Sequence, residues 1–214
     1  MIEELPTKVR ILDAAEHLFG RDGIDATSLR AITANAGVNL AAVNYHFQSK
    51  EALIHAVIGR RLLPINRRRL ELLEQYEREA AGKVVSLEKV LDAFLRPVLE
   101  LVNVAPGFGP LMGKMYTEPQ TFVERVFREY LEGVAMRFTP VLHKAVPYLS
   151  RKDLLWRVHF TIGVMAHTVA GAYLLGVISK GLCGREDPEI TLSRMIAFIT
   201  PGFQAPGAEV LRAR

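Results

Sequence analysis

The chain has 214 residues, enough for one large domain or for a small one joined to a medium one. Half of the residues are hydrophobic, which is ample for a core, and Cys183 is the sole cysteine, which excludes an intrachain disulfide and argues against a cysteine-based metal site. The formal charge of +4 and the pI near 9.3 fit a nucleic-acid partner only weakly, and no apolar run at the N-terminus resembles a signal peptide, so a reducing cytoplasm is the expected setting.

Apolar residues recur at intervals of three and four rather than two, so an all-α fold is expected. The first helix should start at Pro6 or Thr7, place Val9, Leu12, Ala15, Glu16 and Phe19 on one face, and end at Gly20 and Gly23. Thr27 should cap a second helix running to Ala36. Gly37 supplies the positive φ of a sharp turn, and Asn39 caps a third helix with Val43 and Phe47 facing inward. Ser49 caps a fourth, which Pro64 should kink or break. Further helices are expected from Ser86 to about Asn103, near 109–116, and from Pro119 to about Ala145 with a disturbance at Pro140. Ser150-x-x-Asp153 makes a capping box for the next helix, and Asp187-Pro188 starts the last one, ending at Pro201-Gly202.

From Val158 to Ser179 there is no Lys, Arg, Asp or Glu. The length would suit a membrane span. His159, Thr161, His167, Thr168 and Tyr173 within it, and the lack of neighbouring spans, favour instead a helix buried on nearly all sides by its own subunit and a second copy.

The stretch Thr27–Leu53, TSLRAITANAGVNLAAVNYHFQSKEAL, reads as helix, tight turn, helix and capped start of another helix. That is a helix-turn-helix. Net charge does not carry this reading, because residues 1–50 hold five basic side chains against six acidic ones. The densest basic cluster lies later, at Arg60, Arg61, Arg67, Arg68 and Arg69.

Residues 7–53 resemble the DNA-binding domain of TetR-family regulators. The likeness rests on Ile11-Leu12-Asp13-Ala14-Ala15, Phe19, Gly23, Thr27-Ser28, Ile32, Ala36-Gly37-Val38, His46-Phe47 and Ser49-Lys50-Glu51-Ala52-Leu53, without gaps. It implies an N-terminal three-helix DNA-binding domain at 1–53 and a larger helical ligand-binding and dimerisation domain at 54–214. The implied partners are double-stranded operator DNA, a small hydrophobic effector and a second copy of the chain, with no membrane and no cofactor.

Within that resemblance, Thr27, Ser28, Tyr45, His46 and Lys50 are expected at phosphates, through hydroxyls, a ring nitrogen and an ammonium. Thr27 and Ser28 also read as plain helix caps, His46 as a packed histidine and Lys50 as a solvated lysine. Asn39, Leu40, Ala41, Ala42 and Asn44 begin or line the helix that enters the major groove, where small apolar groups suit thymine methyls and Asn44 suits an adenine edge. Arg30 can reach a guanine. The family more often has tyrosine where Asn44 stands, so that tyrosine's contact is not carried over. The string Asn39–Phe47 looks like a narrower, PsrA-type branch that responds to fatty acids.

Beyond residue 53, Phe94, Val98, Leu101, Phe108, Met112, Met115, Tyr116, Phe122, Trp156 and Phe160 are candidates to line a cavity, with core filling as the alternative for each. The segment Leu111–Pro119 also looks like part of fatty-acid-responsive relatives, so a long-chain fatty acid or its coenzyme A thioester is the expected effector. Another apolar compound, such as a drug or aromatic molecule, is the alternative. The arginines at 60–61 and 67–69 are either a solvated face or a meeting point for an acidic head group. An enzyme is not expected. His159 and His167 stand about 12 Å apart along a helix, too far to share zinc, and the chain has neither a nucleophile elbow nor a phosphate-cradling glycine loop.

Overall fold

The computed structural model describes residues 6–105, 107–115, 117–184 and 186–207. All of its regular elements are helical. In chain order they are α1 (Thr7–Asp22), α2 (Leu29–Ala36), α3 (Leu40–Phe47), α4 (Lys50–Ala80), α5 (Leu87–Val104), α6 (Phe108–Met115) and α7 (Gln120–Val126). A π-helical segment (Phe127–Leu131) follows, then α8 (Glu132–Ala145), α9 (Arg151–Ala170), α10 (Ala172–Ile178) and α11 (Pro188–Gln204).

The chain divides into two compact units. The first holds residues 1–64 and 105–127, and the second holds 65–104 and 128–214. The first therefore extends past the sequence boundary at residue 53 and takes in α6 and α7.

In the first unit α1 packs against α2, α3 and α6. Its core includes Ile11, Phe19, Ile32, Val43, Phe47 and Leu53, each no more than 5% exposed. Gly20 does not end α1 but lies buried within it. A β-carbon there would stand 3.1 Å from the Pro110 side chain and 3.2 Å from the Leu111 nitrogen, so glycine lets α1 and α6 approach. The helix ends at Gly23, whose φ is +94°. The cap of α2 is Ser28, not Thr27: Ser28 Oγ accepts from the Ala31 nitrogen at 3.1 Å. Thr27 instead turns inward. Gly37 adopts the left-handed conformation that closes the turn, with φ 63° and ψ 39°.

α4 runs through Pro64 without a break. The proline removes one backbone donor, and the surrounding helix persists. The division between the units falls directly after it.

In the second unit α5 packs against α8, α9 and α11, and α9 also packs against α11. The long helix expected after Pro119 is disturbed at Phe127–Leu131, where one π turn is inserted, and not at Pro140, which α8 contains. The Ser150 cap forms as expected, accepting from the Asp153 nitrogen at 3.1 Å. Asp187 caps α11, which continues past Pro201 to Gln204. The uncharged stretch is two helices, because Gly171 separates α9 from α10. Among the described residues no helix is long and apolar enough to cross a membrane. Within a single chain this stretch is also far from sealed: Phe160 is 59% exposed and Tyr173 76%.

Candidate nucleic-acid interface and effector unit

α3 has one side for the core and one for solvent. Val43 and Phe47 are buried, while Leu40, Ala41, Asn44 and Tyr45 face out. Tyr45 is 83% exposed. The spacing explains most of this: 43 and 47 are one turn apart and 41, 44 and 45 fall on the other arc, while Leu40 lies beside 43 and 47 but at the first position of the helix, 43% exposed. Asn39 begins the helix, and its side-chain oxygen accepts from the Ala42 nitrogen at 2.9 Å. Ala42 and His46 are half-buried at the margin. The His46 ring stands edge-on to Tyr45, with centroids 5.1 Å apart.

The second helix adds Ser28 and Arg30, both exposed. Thr27 is only 2% exposed, and its hydroxyl donates to the Gly23 carbonyl at 2.7 Å. That hydroxyl is committed to the backbone and is not presented to a phosphate. Lys50, half-buried at the start of α4, donates from Nζ to the Asp25 carbonyl at 3.2 Å.

A residue the sequence reading did not single out holds the turn. Arg10, on α1, donates from Nε to the Ala36 carbonyl at 3.1 Å and from Nη2 to the carbonyls of Ala36 and Gly37 at 2.7 and 2.8 Å. These are carbonyls at the C-terminus of α2, where a cation is favoured. A β-carbon on residue 37 would lie 2.8 Å from Arg10 Nη2, so the glycine and the arginine fit together. No local pattern announces the pair, since the partners are 26 and 27 positions apart.

The five arginines between residues 60 and 69 of α4 do not form one patch. Arg60 pairs with Asp13 at 2.6 Å and with Glu16, and Arg61 pairs with Glu16 at 2.9 Å. Those two are thus bonded to α1, not held for a head group. Arg67 and Arg68 are exposed. Arg69 is 3% exposed, in the core of the second unit. Its Nε donates to the Phe94 carbonyl at 2.8 Å, Nη1 to Asn66 Oδ1 at 3.2 Å, and Nη2 contacts Met165 Sδ at 3.6 Å. Burial drives its pKa down to about 9.

The candidate effector residues are split between the units. Phe108, Met112, Met115 and Phe122 belong to the first, and Phe94, Val98, Leu101, Trp156 and Phe160 to the second. Tyr116 lies outside the described residues. Phe108 and Val98 are buried, and Phe94, Leu101, Met112, Met115 and Phe122 are half-buried. Trp156 and Phe160 do not face an interior. They are 52% and 59% exposed and stand together on α9, with ring centroids 5.6 Å apart. Among the described residues no group of three or more His, Cys, Asp or Glu side chains is placed to hold a metal.

Residues 92–202 match the family described as "Tetracyclin repressor-like, C-terminal domain", and residues 11–57 match "Bacterial regulatory proteins, tetR family". The chain belongs to the TetR family. Its N-terminal TetR segment contains every outward position named above from Ser28 to Lys50, and its C-terminal segment contains all the effector candidates. Arg69 lies between the two. The transcriptional regulator UidR of Escherichia coli strain K12 is 41% identical over 56 residues, covering 26% of this chain and 29% of UidR. YttP of Bacillus subtilis strain 168 is 25% identical over 133 residues, covering 60% of this chain and 59% of YttP. These matches thus span less than two thirds of either relative. Among solved TetR-like folds, the hemolysin II transcriptional regulator HlyIIR gives a TM-score of 0.60 at 22% identity, covering 89% of this chain and 95% of that one.

Proposed function

We propose that this TetR-family chain is a ligand-responsive transcriptional repressor. It acts as a homodimer on double-stranded operator DNA in the cytoplasm and is released by a small hydrophobic effector. The reading assigns no catalytic residue and no cofactor. The observation that carries it is the outward arc of α3, Leu40, Ala41, Asn44 and Tyr45, held on an anchor of buried Val43 and Phe47. An exposed helix face of small apolar groups with one amide suits base edges in the major groove. Ser28, Tyr45, His46 and Lys50 then hold phosphates to either side, and Arg30 reaches a guanine. Thr27 contributes as the buried support of Ser28 rather than through its hydroxyl.

Dimerisation is supported by the apolar face that one chain leaves open on α9 and α11. Trp156, Phe160, Ile190 and Phe198 are all about half exposed or more, with Phe198 at 73%. Such a face marks an interface. Two reading helices must then stand roughly 34 Å apart to enter successive major grooves.

The effector is a long-chain fatty acid or its coenzyme A thioester, as in the PsrA-type branch that residues 39–47 resemble. Half-buried Phe94 and Leu101 of the second unit supply apolar surface for a flexible chain. α4 contributes residues to both units, so it is the element through which the effector alters the reading heads. The effector must bind the DNA-incompetent state more tightly, and operator DNA must weaken effector binding by the same factor.

The test is selection of duplexes from a random library by the purified protein, followed by Asn44→Ala. Enrichment of a palindromic site is expected, and the variant should relax preference at one position of each half-site. No enrichment over non-specific binding would end the DNA reading. A uniform loss across all sequences would remove Asn44 from base recognition.

A further inference from the structure

The second unit buries a full guanidinium to which no carboxylate of the described residues is paired. Arg69 is 3% exposed, and its contacts are the Phe94 carbonyl at 2.8 Å, the Asn66 side-chain oxygen at 3.2 Å and the Met165 thioether at 3.6 Å. All three are neutral, and sulfur is a weak acceptor. The guanidinium also lies 4.1 Å from the Phe94 ring centroid, which attracts the charge without neutralising it. Five N–H donors in a planar fork are matched to a carboxylate, and here they meet only two oxygens and a sulfur. Buried charges are normally paired.

The surroundings fit an acid with an apolar tail. Phe94 and Met165, which flank the guanidinium, are half-buried rather than sealed. Met165 is a flexible side chain able to yield its place. Phe94, Val98 and Leu101 follow one another on one face of α5, a strip of roughly 10 Å. Asn66 ties the site to the π segment, since its Nδ2 donates to the Tyr130 carbonyl at 2.6 Å. π turns inside helices often sit at functional sites.

We propose that Arg69 is the counter-ion for a carboxylate on the effector, with the effector's apolar chain laid along Phe94, Val98 and Leu101. This rests on the effector reading above and narrows it to a free acid, because a thioester carbonyl is neutral. The carboxylate takes the Nη donors, displacing the Met165 sulfur. The change reaches Asn66, and through it the π segment.

The probes are dodecanoate, dodecanol and dodecanoyl-coenzyme A, titrated calorimetrically into the full-length protein and into Arg69→Met. The wild type should bind the acid roughly tenfold or more tightly than the alcohol, as a charge-assisted pair warrants. Arg69→Met should erase that preference. Equal binding of acid and alcohol by the wild type, a preference that survives Arg69→Met, or tightest binding of the thioester would each overturn the proposal. Should Arg69→Met fail to fold, the wild type answers alone: the Arg69 Nε–H resonance should move with dodecanoate and not with dodecanol, and movement with both or neither overturns it. If none of the three chains binds while operator DNA does, the effector reading itself falls and this one with it.

Discussion

Among the described residues each unit buries one strongly charged side chain, and the two are treated in opposite ways. In the first, Glu16 is 3% exposed and is gripped by Arg60 and Arg61 from α4. In the second, Arg69 is also 3% exposed and no carboxylate of the described residues pairs with it. The contrast separates two uses of burial. A charge closed by partners fixes how α1 and α4 meet, which a reading head needs. A charge left without an opposite partner keeps a strong binding valence in reserve, which is the use that the proposed effector carboxylate would make of it.

Removing each charge should therefore move stability in different directions. Glu16→Ala leaves two guanidinia around an empty space and should cost about 3–5 kcal/mol. For a chain of this size that is a fall in melting temperature of roughly 6–20 °C, read by circular dichroism. Arg69→Met removes an uncompensated charge and keeps similar volume, so its melting temperature should match or exceed the wild type's. Equal falls for the two variants would break the comparison.

The units also differ in what they leave exposed. The outward positions of α3 are mostly small or polar, whereas α9 presents Trp156 and Phe160 side by side. Phe160→Glu places a charge in that face. As a buried anchor of a dimer it should cost about 2–4 kcal/mol of association, roughly a thirtyfold to thousandfold weaker dimer by sedimentation. Unchanged association would show that a second copy does not cover this face.

Much of the first unit was legible because its determinants are local. Gly37, Asn39 and Ser49 act within three residues of themselves, and each does in the structure what its residue type implies. Ser28 was missed as the cap of α2 because Thr27 is an equally good capping type, and the choice between neighbours was made by burial. Arg10 was illegible for a different reason, since its partners are carbonyls and carbonyls carry no sequence signature. In the second unit the helices were readable but their interruptions were not. Pro140 there, like Pro64 at the end of the first unit, lies inside a continuous helix, while the π turn at Phe127–Leu131 contains no proline or glycine. Arg69 looked like its exposed neighbours Arg67 and Arg68, and only the direction of a helix face sets it apart.

A subtler edge of the comparison concerns the phosphate contacts. Lys50 is half-buried and already donates to the Asp25 carbonyl at 3.2 Å, so its ammonium is held at the rim of the reading head. Lys50→Ala should weaken binding to every duplex about equally and shallow the salt slope by about one unit. A loss confined to one sequence would place Lys50 at a base instead. An unchanged slope would leave it as part of the scaffold.

The smallest effect tests how the head's own helices are started. Ser28 Oγ accepts from the Ala31 nitrogen at 3.1 Å in an exposed position, so Ser28→Ala should cost about 1 kcal/mol, at the lower end of capping losses because water can reach the freed amide. Thr27→Ala works elsewhere. It removes a methyl from a buried site and a hydroxyl bonded to the Gly23 carbonyl at 2.7 Å, so it should destabilise the fold more than Ser28→Ala does. The order should reverse in operator binding, where only Ser28 faces outward. If Thr27→Ala instead lowers affinity for DNA while leaving the melting temperature alone, the inward turn of that side chain does not persist on DNA, and the phosphate role passes back to Thr27.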